Sequence, residues 1–397
     1  MRRRPAIFLT PRLPWPLDDG GRIASWMTVW AAAREWDVTL ISFIPAGTVS
    51  EPVPAALGEI GVTVERVPHR PAPLPVAAVS GLVGRWPYTL SRYRSNAFAA
   101  ILRDRLERLR PGYVFANHLH MATYVDVLGG IPMILREHNV EHVWMNRYAR
   151  ALGPTPAGMY ARLQAKRLRV AERKLCHSAA LTLAIQDRET ECLHALAPNA
   201  RIETLPVGVD LTRYGPRRPA DPPILLIAGS FAWGPNLDGA LRFLREGWPR
   251  VRKANPRVRL RIAGKDQPAV LRDLAREMDA ESAPNVPSMA DEFARAAALI
   301  VPLWVGAGAR IKIMEALAAS LPVVSTPEGA EGLGLTPGTH YVQGTAPSDL
   351  ADAAIELLRD LSRGDALARA GREHAEAHWS HVSVARLQNE LVAQVAR

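Results

Sequence analysis

At 397 residues, 48% hydrophobic and 22% charged, the chain is too long for one ordinary core and predicts two globular domains. Its two cysteines, Cys176 and Cys192, exclude a disulfide framework and point to a reducing, cytoplasmic setting; no apolar run approaches the roughly 20 residues that span a bilayer. The net charge of +10 is uneven, since residues 1–200 carry 25 Lys and Arg against 16 Asp and Glu while residues 201–397 carry 24 against 23, so the first half is the one expected to meet an anionic partner.

Behind the basic start Met-Arg-Arg-Arg-Pro, the apolar stretch 6–9 is too short for a secretory signal and predicts a first buried strand. A proline-rich turn over 10–22 holds Gly20 and Gly21, followed by a helix over 23–35 and a strand over 37–43. A strand over 62–67 leads into a polar, proline-rich connection. Next come a helix over 95–109 and a strand over 113–116, which runs into His118 and His120. A strand over 132–135 ends in Glu137, His138 and Asn139. A long basic helix is expected over 157–177, then a strand over 181–184 and a helix over 187–196.

Residues 206–222, rich in Pro, Gly and charge, read as a linker. The second half restarts with a strand over 224–228 that ends at Gly229-Ser230. A helix over 236–247, a strand over 257–263, a helix over 268–278 and a strand over 297–304 follow. The segment GAGARIKIMEALAASLPVV (306–324) then places a glycine-rich turn, a helix and another strand in direct succession. A strand over 341–343, a helix over 348–361 and a helical tail complete the chain. Strict alternation of strand and helix predicts an α/β protein with two doubly wound, Rossmann-like parallel sheets. The expected boundaries are 1–205, a linker at 206–222, 223–364, and a tail at 365–397 packing back toward the first domain. Ligands of such sheets bind beyond the carboxyl ends of the strands, in a cleft if the two domains face one another.

The turn at 306–310 has the chemistry of an anion cradle. Gly306 and Gly308 leave backbone N–H groups free at the positive end of a helix, and Arg310 adds a forked cation. Glu315, on an otherwise apolar face, must be paired or hydrogen-bonded, either to a sugar's vicinal hydroxyls or within the domain. Lys312 points well away from Arg310 around the helix, toward phosphate or solvent. Gly20, Gly21, Gly229 and Ser230 are the other candidate donor contacts. His118-x-His120 and His138-x-x-Glu141 have metal-like spacing, but no cysteine or further carboxylate completes a zinc set, so no metal is expected.

In order along the chain, the Asp-Gly-Gly-Arg loop (19–22), Glu-His-Asn-Val-Glu (137–141), Leu-Pro-Val-Gly-Val-Asp (205–210), Gly-Ser-Phe-Ala-Trp-Gly-Pro-Asn (229–236) and the 306–333 segment resemble the retaining glycosyltransferases of GT-B fold known as glycosyltransferase family 4. The resemblance covers almost the whole length. It implies two Rossmann-like domains facing across a cleft and transfer of a hexosyl group from a nucleotide-sugar with retention at the anomeric carbon, without cofactor or metal. The implied acceptor is a glycan or lipid-linked saccharide, as in polysaccharide or glycoconjugate biosynthesis. It places His118, or His120 two residues on, near the donor sugar; Arg310 and Glu315 are the other expected catalytic residues, and Glu137, His138 and Asn139, which end a strand, are expected on the acceptor side or as a loop-bracing cluster.

Two departures stand out. Ala307 occupies the place of the first of the family's two glutamates. The loop 230–237 lacks the Arg and Lys that usually meet the diphosphate, a loss for which Arg310, ahead of Lys312, is expected to compensate. Within the same fold, a nucleotide-sugar 2-epimerase or hydrolase and a non-catalytic binding module are the alternatives. The basic segments 85–94 and 160–174 suggest peripheral contact with an anionic inner membrane face. Nucleic acid is not expected, for no helix-turn-helix, zinc finger or RNP-like pattern occurs.

Overall fold

The computed structural model describes residues 3–17, 19–48, 50–70, 74–305 and 310–396. The chain divides into two compact units, Met1–Pro206 with Val384–Arg397, and Val207–Ser383. The first is built on β1 (Pro5–Thr10), β2 (Asp37–Pro45), β3 (Thr63–His69), β4 (Val114–Asn117), β5 (Met133–Arg136), β6 (Leu181–Ala184) and β7 (Ile202–Thr204). These seven strands are parallel and ordered β3-β2-β1-β4-β5-β6-β7. Ile7, Phe8 and Leu9 of β1 are all buried. Helices cover both faces of such a sheet, so its central strands are apolar throughout rather than alternating.

The second unit holds β8 (Ile224–Ala228), β9 (Arg259–Ala263), β10 (Glu281–Ala283), β11 (Ala298–Val301), β12 (Val323–Ser325) and β13 (Val342–Gln343), again all parallel, in the order β10-β9-β8-β11-β12-β13. Each sheet reverses its winding once, between β1 and β4 and between β8 and β11. Those two crevices are the topological switch points where such sheets take ligands.

Residues 206–222, expected as a connection, straddle the unit boundary after Pro206. Their Tyr214 is buried in the second unit, with its ring 6.4 Å from Phe293. At the other end, helix His381–Ala393 is shared at Ser383, and its later residues belong to the first unit. There Gln388 donates to the carbonyl of Thr28 at 2.8 Å and Asn389 to that of Ala31 at 3.1 Å.

Three local expectations change. The first helix begins at Gly20 rather than residue 23, because the Asp19 carboxylate caps it by accepting from Arg22 N at 3.0 Å. A helix, Glu141–Ala151, stands in a stretch for which the sequence predicts no element. The supposed polar connection after β3 contains the helix Leu74–Val83, which carries no charge at all.

Candidate functional site

In the second unit, β8 ends at Gly229, whose φ of +152° strains any other residue. A Cβ there would lie 2.7 Å from Asn236 Nδ2 and 3.0 Å from Lys312 Nζ, so both side chains stand directly against this turn. Gly264, after β9, packs on the same turn so tightly that its own Cβ would strike the carbonyl oxygen of Gly229 at 1.9 Å. Asn236 lies in helix Gly234–Arg242; its Nδ2 donates to the Ser230 carbonyl at 2.9 Å and its Oδ1 accepts from Lys312 Nζ at 2.6 Å. Ser230 Oγ donates to Asp266 Oδ2 at 3.0 Å. Three separate elements therefore converge where β8 ends.

Lys312 reaches this point from helix Ile311–Ala318, which follows β11. The residue before it, Arg310, is in the left-handed conformation (φ 51°, ψ 35°) and buried. Its Nε and Nη2 donate to the Glu328 carbonyl at 3.2 and 2.9 Å. Arg310 thus braces the 327–330 turn, while Lys312 is the cation that stands against Gly229. Burial, with the nearby Arg310 charge second, lowers the Lys312 pKa to about 7.

Glu315 is three residues on and so a neighbour of Lys312 on the helix surface. Its Oε1 accepts from Tyr214 Oη at 2.6 Å. Burial raises its pKa, and the Tyr214 hydrogen bond works against that rise. Gly306, Ala307 and Gly308, central to the expected cradle, lie outside the described residues.

In the first unit, the turn after β4 brings His118 onto His138, which follows β5; the rings stack with centroids 3.6 Å apart. His118 has φ +72° and ψ 146°, a sparsely populated combination for a side chain with Cβ. Strain of this kind amounts to roughly 1–3 kcal/mol and gathers at functional sites. Asn117 fixes the second ring. Thr28 Oγ1 donates to Ser25 O at 2.8 Å, Asn117 Nδ2 donates to Thr28 Oγ1 at 3.1 Å, and Asn117 Oδ1 then faces His138 Nε2 at 3.4 Å. That chain of donors selects the His138 tautomer protonated at Nε2. Burial lowers the pKa of both His118 and His138 well below the usual range, and that of His120 to about 4. All three imidazoles are neutral at pH 7.

Gly20 and Gly21 open the helix Gly20–Ala33, and Gly21 sits against Arg12: a Cβ there would be 2.9 Å from Arg12 Nη2. That guanidinium in turn pairs with Asp19 Oδ1 at 2.6 Å. Glu137, expected on the acceptor side, is buried at the end of β5. Its carboxyl is 1% exposed and lies among Glu172, Glu141 and Glu189, with no hydrogen-bond partner for either oxygen. Burial first, then the neighbouring carboxylates, raises its pKa well above the carboxylate range. Asn139 is half-buried in the loop before helix Glu141–Ala151. Among the described residues, no three His, Cys, Asp or Glu side chains converge to hold a metal ion.

Sequence reasoning missed Asn117, Tyr214 and Asn236 as partners of the candidate residues. Asn236 carried a local signal, the Gly-Pro-Asn start of a helix just after a strand. The contact of Tyr214 with Glu315 spans 101 residues and had none.

Two successive parallel-sheet units, each with its winding reversed beside a glycine turn, define the GT-B class of fold. Over 99% of both chains, the structure superposes on sucrose-phosphate synthase from Thermosynechococcus elongatus with a TM-score of 0.73 at 16% identity. Residues 222–360 match the family described as Glycosyl transferases group 1. A GDP-mannose-dependent monoacylated alpha-(1-6)-phosphatidylinositol monomannoside mannosyltransferase from Corynebacterium glutamicum is 28% identical over 226 residues, 50% of this chain and 58% of that protein. A GDP-mannose-dependent alpha-(1-6)-phosphatidylinositol monomannoside mannosyltransferase from Mycolicibacterium smegmatis is 26% identical over 68% of this chain and 81% of its own length. Residues 222–360 therefore resemble the group 1 glycosyltransferases, within a chain of GT-B fold.

Proposed function

We propose that the chain transfers a hexosyl group from a nucleotide diphosphate sugar to a hydroxyl of a glycan or lipid-linked saccharide, in the cytoplasm, with retention at the anomeric carbon and without a metal. Lys312 carries this reading: its ammonium stands against Gly229 at the switch point of the nucleotide-side sheet, where a diphosphate needs a cation. Glu315, steadied by Tyr214, accepts from sugar or ribose hydroxyls.

In the reaction, the bond from the anomeric carbon to the diphosphate oxygen breaks as the bond to the acceptor oxygen forms. The acceptor's proton passes to the departing diphosphate, so no side-chain base is required. Lys312 stabilises the negative charge that develops on the leaving group. His118, neutral and held in strained backbone, hydrogen-bonds the transferred sugar rather than acting as a cation.

The names of the two mannosyltransferase relatives make GDP-mannose the first donor to try. A thermal-shift screen against GDP-, UDP-, ADP- and dTDP-sugars tests the reading. A shift with one nucleotide series, lost in Lys312→Ala, is expected. A panel with no shift, or a shift indifferent to Lys312, contradicts it.

A further inference from the structure

Most of the exposed large apolar side chains described in the first unit lie on two adjacent helices. Val76, Val79 and Val83 are 60%, 60% and 84% exposed along helix Leu74–Val83, and Leu82 beside them is 41% exposed. Positions 76, 79 and 83 share one helical face. Residues 71–84 include no charged side chain, so nothing on this helix compensates the valines.

The helix is held firmly in this orientation by helix Pro156–Ser178. Tyr160 Oη donates to the Ala78 carbonyl at 3.0 Å, and Gln164 Nε2 to that of Gly81 at 3.0 Å. Arg167 closes the helix end, donating to the carbonyls of Leu82, at 2.8 Å, and Gly84. The valines are therefore displayed by a built scaffold.

Around them the surface is cationic. Residues 142–178 contain eight Lys and Arg against one acid, Glu172, which is buried. A groove of about 520 Å³ runs between the 84–87 turn and the face of helix Pro156–Ser178 formed by Lys166, Val170 and Lys174. Arg85 stands at its edge, stacked over Trp86 at 5.1 Å and 3.7 Å from Asp126. Met159, Leu163 and Val170, all exposed, continue the apolar stripe along the second helix. By contrast Arg94, part of the basic segment read from sequence, is tied to Asp126 at 3.0 Å and to the Thr123 carbonyl at 2.5 Å.

We infer that this face is a bilayer-docking surface: Val76, Val79, Val83 and Leu82 enter the acyl boundary of an anionic membrane, while Lys166, Lys174 and the groove between them take lipid phosphate. Charge complementarity selects the occupant. A nucleic acid satisfies the lysines but offers no apolar phase to four uncharged side chains, and a neutral apolar partner leaves the lysines desolvated. An anionic bilayer meets both, with lysine stems lying along apolar surface and ammonium groups at the headgroups. The inference does not depend on the proposed reaction, since membrane binding is read without donor or acceptor.

The test is co-sedimentation of the full chain with phosphatidylcholine vesicles, with and without phosphatidylglycerol, at low and high salt. Binding that requires phosphatidylglycerol and weakens with salt is expected. Lys166→Ala and Lys174→Ala each lower partitioning about fivefold, equivalent to about 1 kcal/mol per cation near an anionic surface. Val79→Asp with Val83→Asp lowers it at least about tenfold, the scale set by burying one valine. These positions are exposed, so the melting temperature is expected to stay unchanged, and Val79→Ser with Val83→Ser repeats the measurement without new charge. Binding unaffected by either valine pair, equal binding to phosphatidylcholine alone, or a concentration-dependent dimer abolished by the valine variants would each overturn the inference. So would tighter retention of duplex DNA than of anionic vesicles.

Discussion

Lys312 offers the sharpest perturbation. In the free protein its ammonium is held by Asn236 at 2.6 Å with a pKa of about 7. A diphosphate binds the charged form, so the proton lost above neutrality must be regained on binding. Linkage gives the slope: with one proton taken up per donor, affinity falls about tenfold for each pH unit above 7, until the pKa of the complex is reached. Donor dissociation constants measured calorimetrically from pH 6 to 9 should be flat below 7 and rise steeply above it. In two buffers of different ionisation enthalpy, the same titrations should report uptake approaching one proton at pH 8.

Lys312→Arg keeps its charge throughout and should flatten that profile. Lys312→Met should also flatten it, at an affinity lower by about 10- to 100-fold, the range of a charge-assisted hydrogen bond worth about 1.5–3 kcal/mol. A wild-type profile flat to pH 9, or a slope retained in Lys312→Met, would refute the assignment of this cation to the diphosphate.

Other expectations follow from neighbouring groups. Tyr214→Phe removes the hydroxyl that favours the Glu315 carboxylate; the Glu315 pKa should rise, moving the acid limb of kcat/KM to higher pH, with about 0.5–1.5 kcal/mol of stability lost in urea unfolding. Glu137 has a folded pKa raised by burial, so the folded state holds a proton that the unfolded state releases above its ordinary carboxylate pKa. The contribution of this group should therefore fall as pH rises above about 5, by up to about 1.4 kcal/mol per unit, while the lowered pKa values of His118, His120 and His138 act in the opposite sense below about 6.5. Glu137→Gln should remove that contribution, leaving the part due to Glu141, whose pKa is raised to about 8; an unchanged slope in denaturant titrations would contradict the burial argument. Gly229→Ala forces a Cβ into Asn236 and Lys312, and should weaken donor binding at least about tenfold while leaving the first unit's folding intact, as read by circular dichroism and donor titration.

Much of the architecture was legible because its strands are short and wholly apolar. The runs at 181–184 and 224–228 match the observed β6 and β8 residue for residue. Boundaries drifted where side chains set them. Gly20 and Gly21 read as turn residues, yet Asp19 caps them into a helix. Glu141–Ala151 was hidden by its charged entry, and Leu74–Val83 by the prolines before it and by an outward face that carries no polar period. Gly229, Ser230 and Lys312 were individually visible, but their order of importance was not. Its forked cation at a helix start put Arg310 first; the structure adds its left-handed backbone and its hydrogen bond to the carbonyl of Glu328. Glu137 illustrates the converse: a strand-end carboxylate looks functional in sequence, and only the surrounding helix reveals that it is sealed among other acids.

Transfer of a sugar from a nucleotide donor held at Lys312 is the central proposal. Its most direct measurement is nucleoside diphosphate release from the donor selected by thermal shift, with and without a lipid-linked saccharide acceptor, in wild type and Lys312→Ala. Release that depends on acceptor, yields an α-linked product from an α-linked donor, and falls at least about tenfold in the variant is expected. Release of equal rate without acceptor, or transfer undiminished in Lys312→Ala, would contradict it.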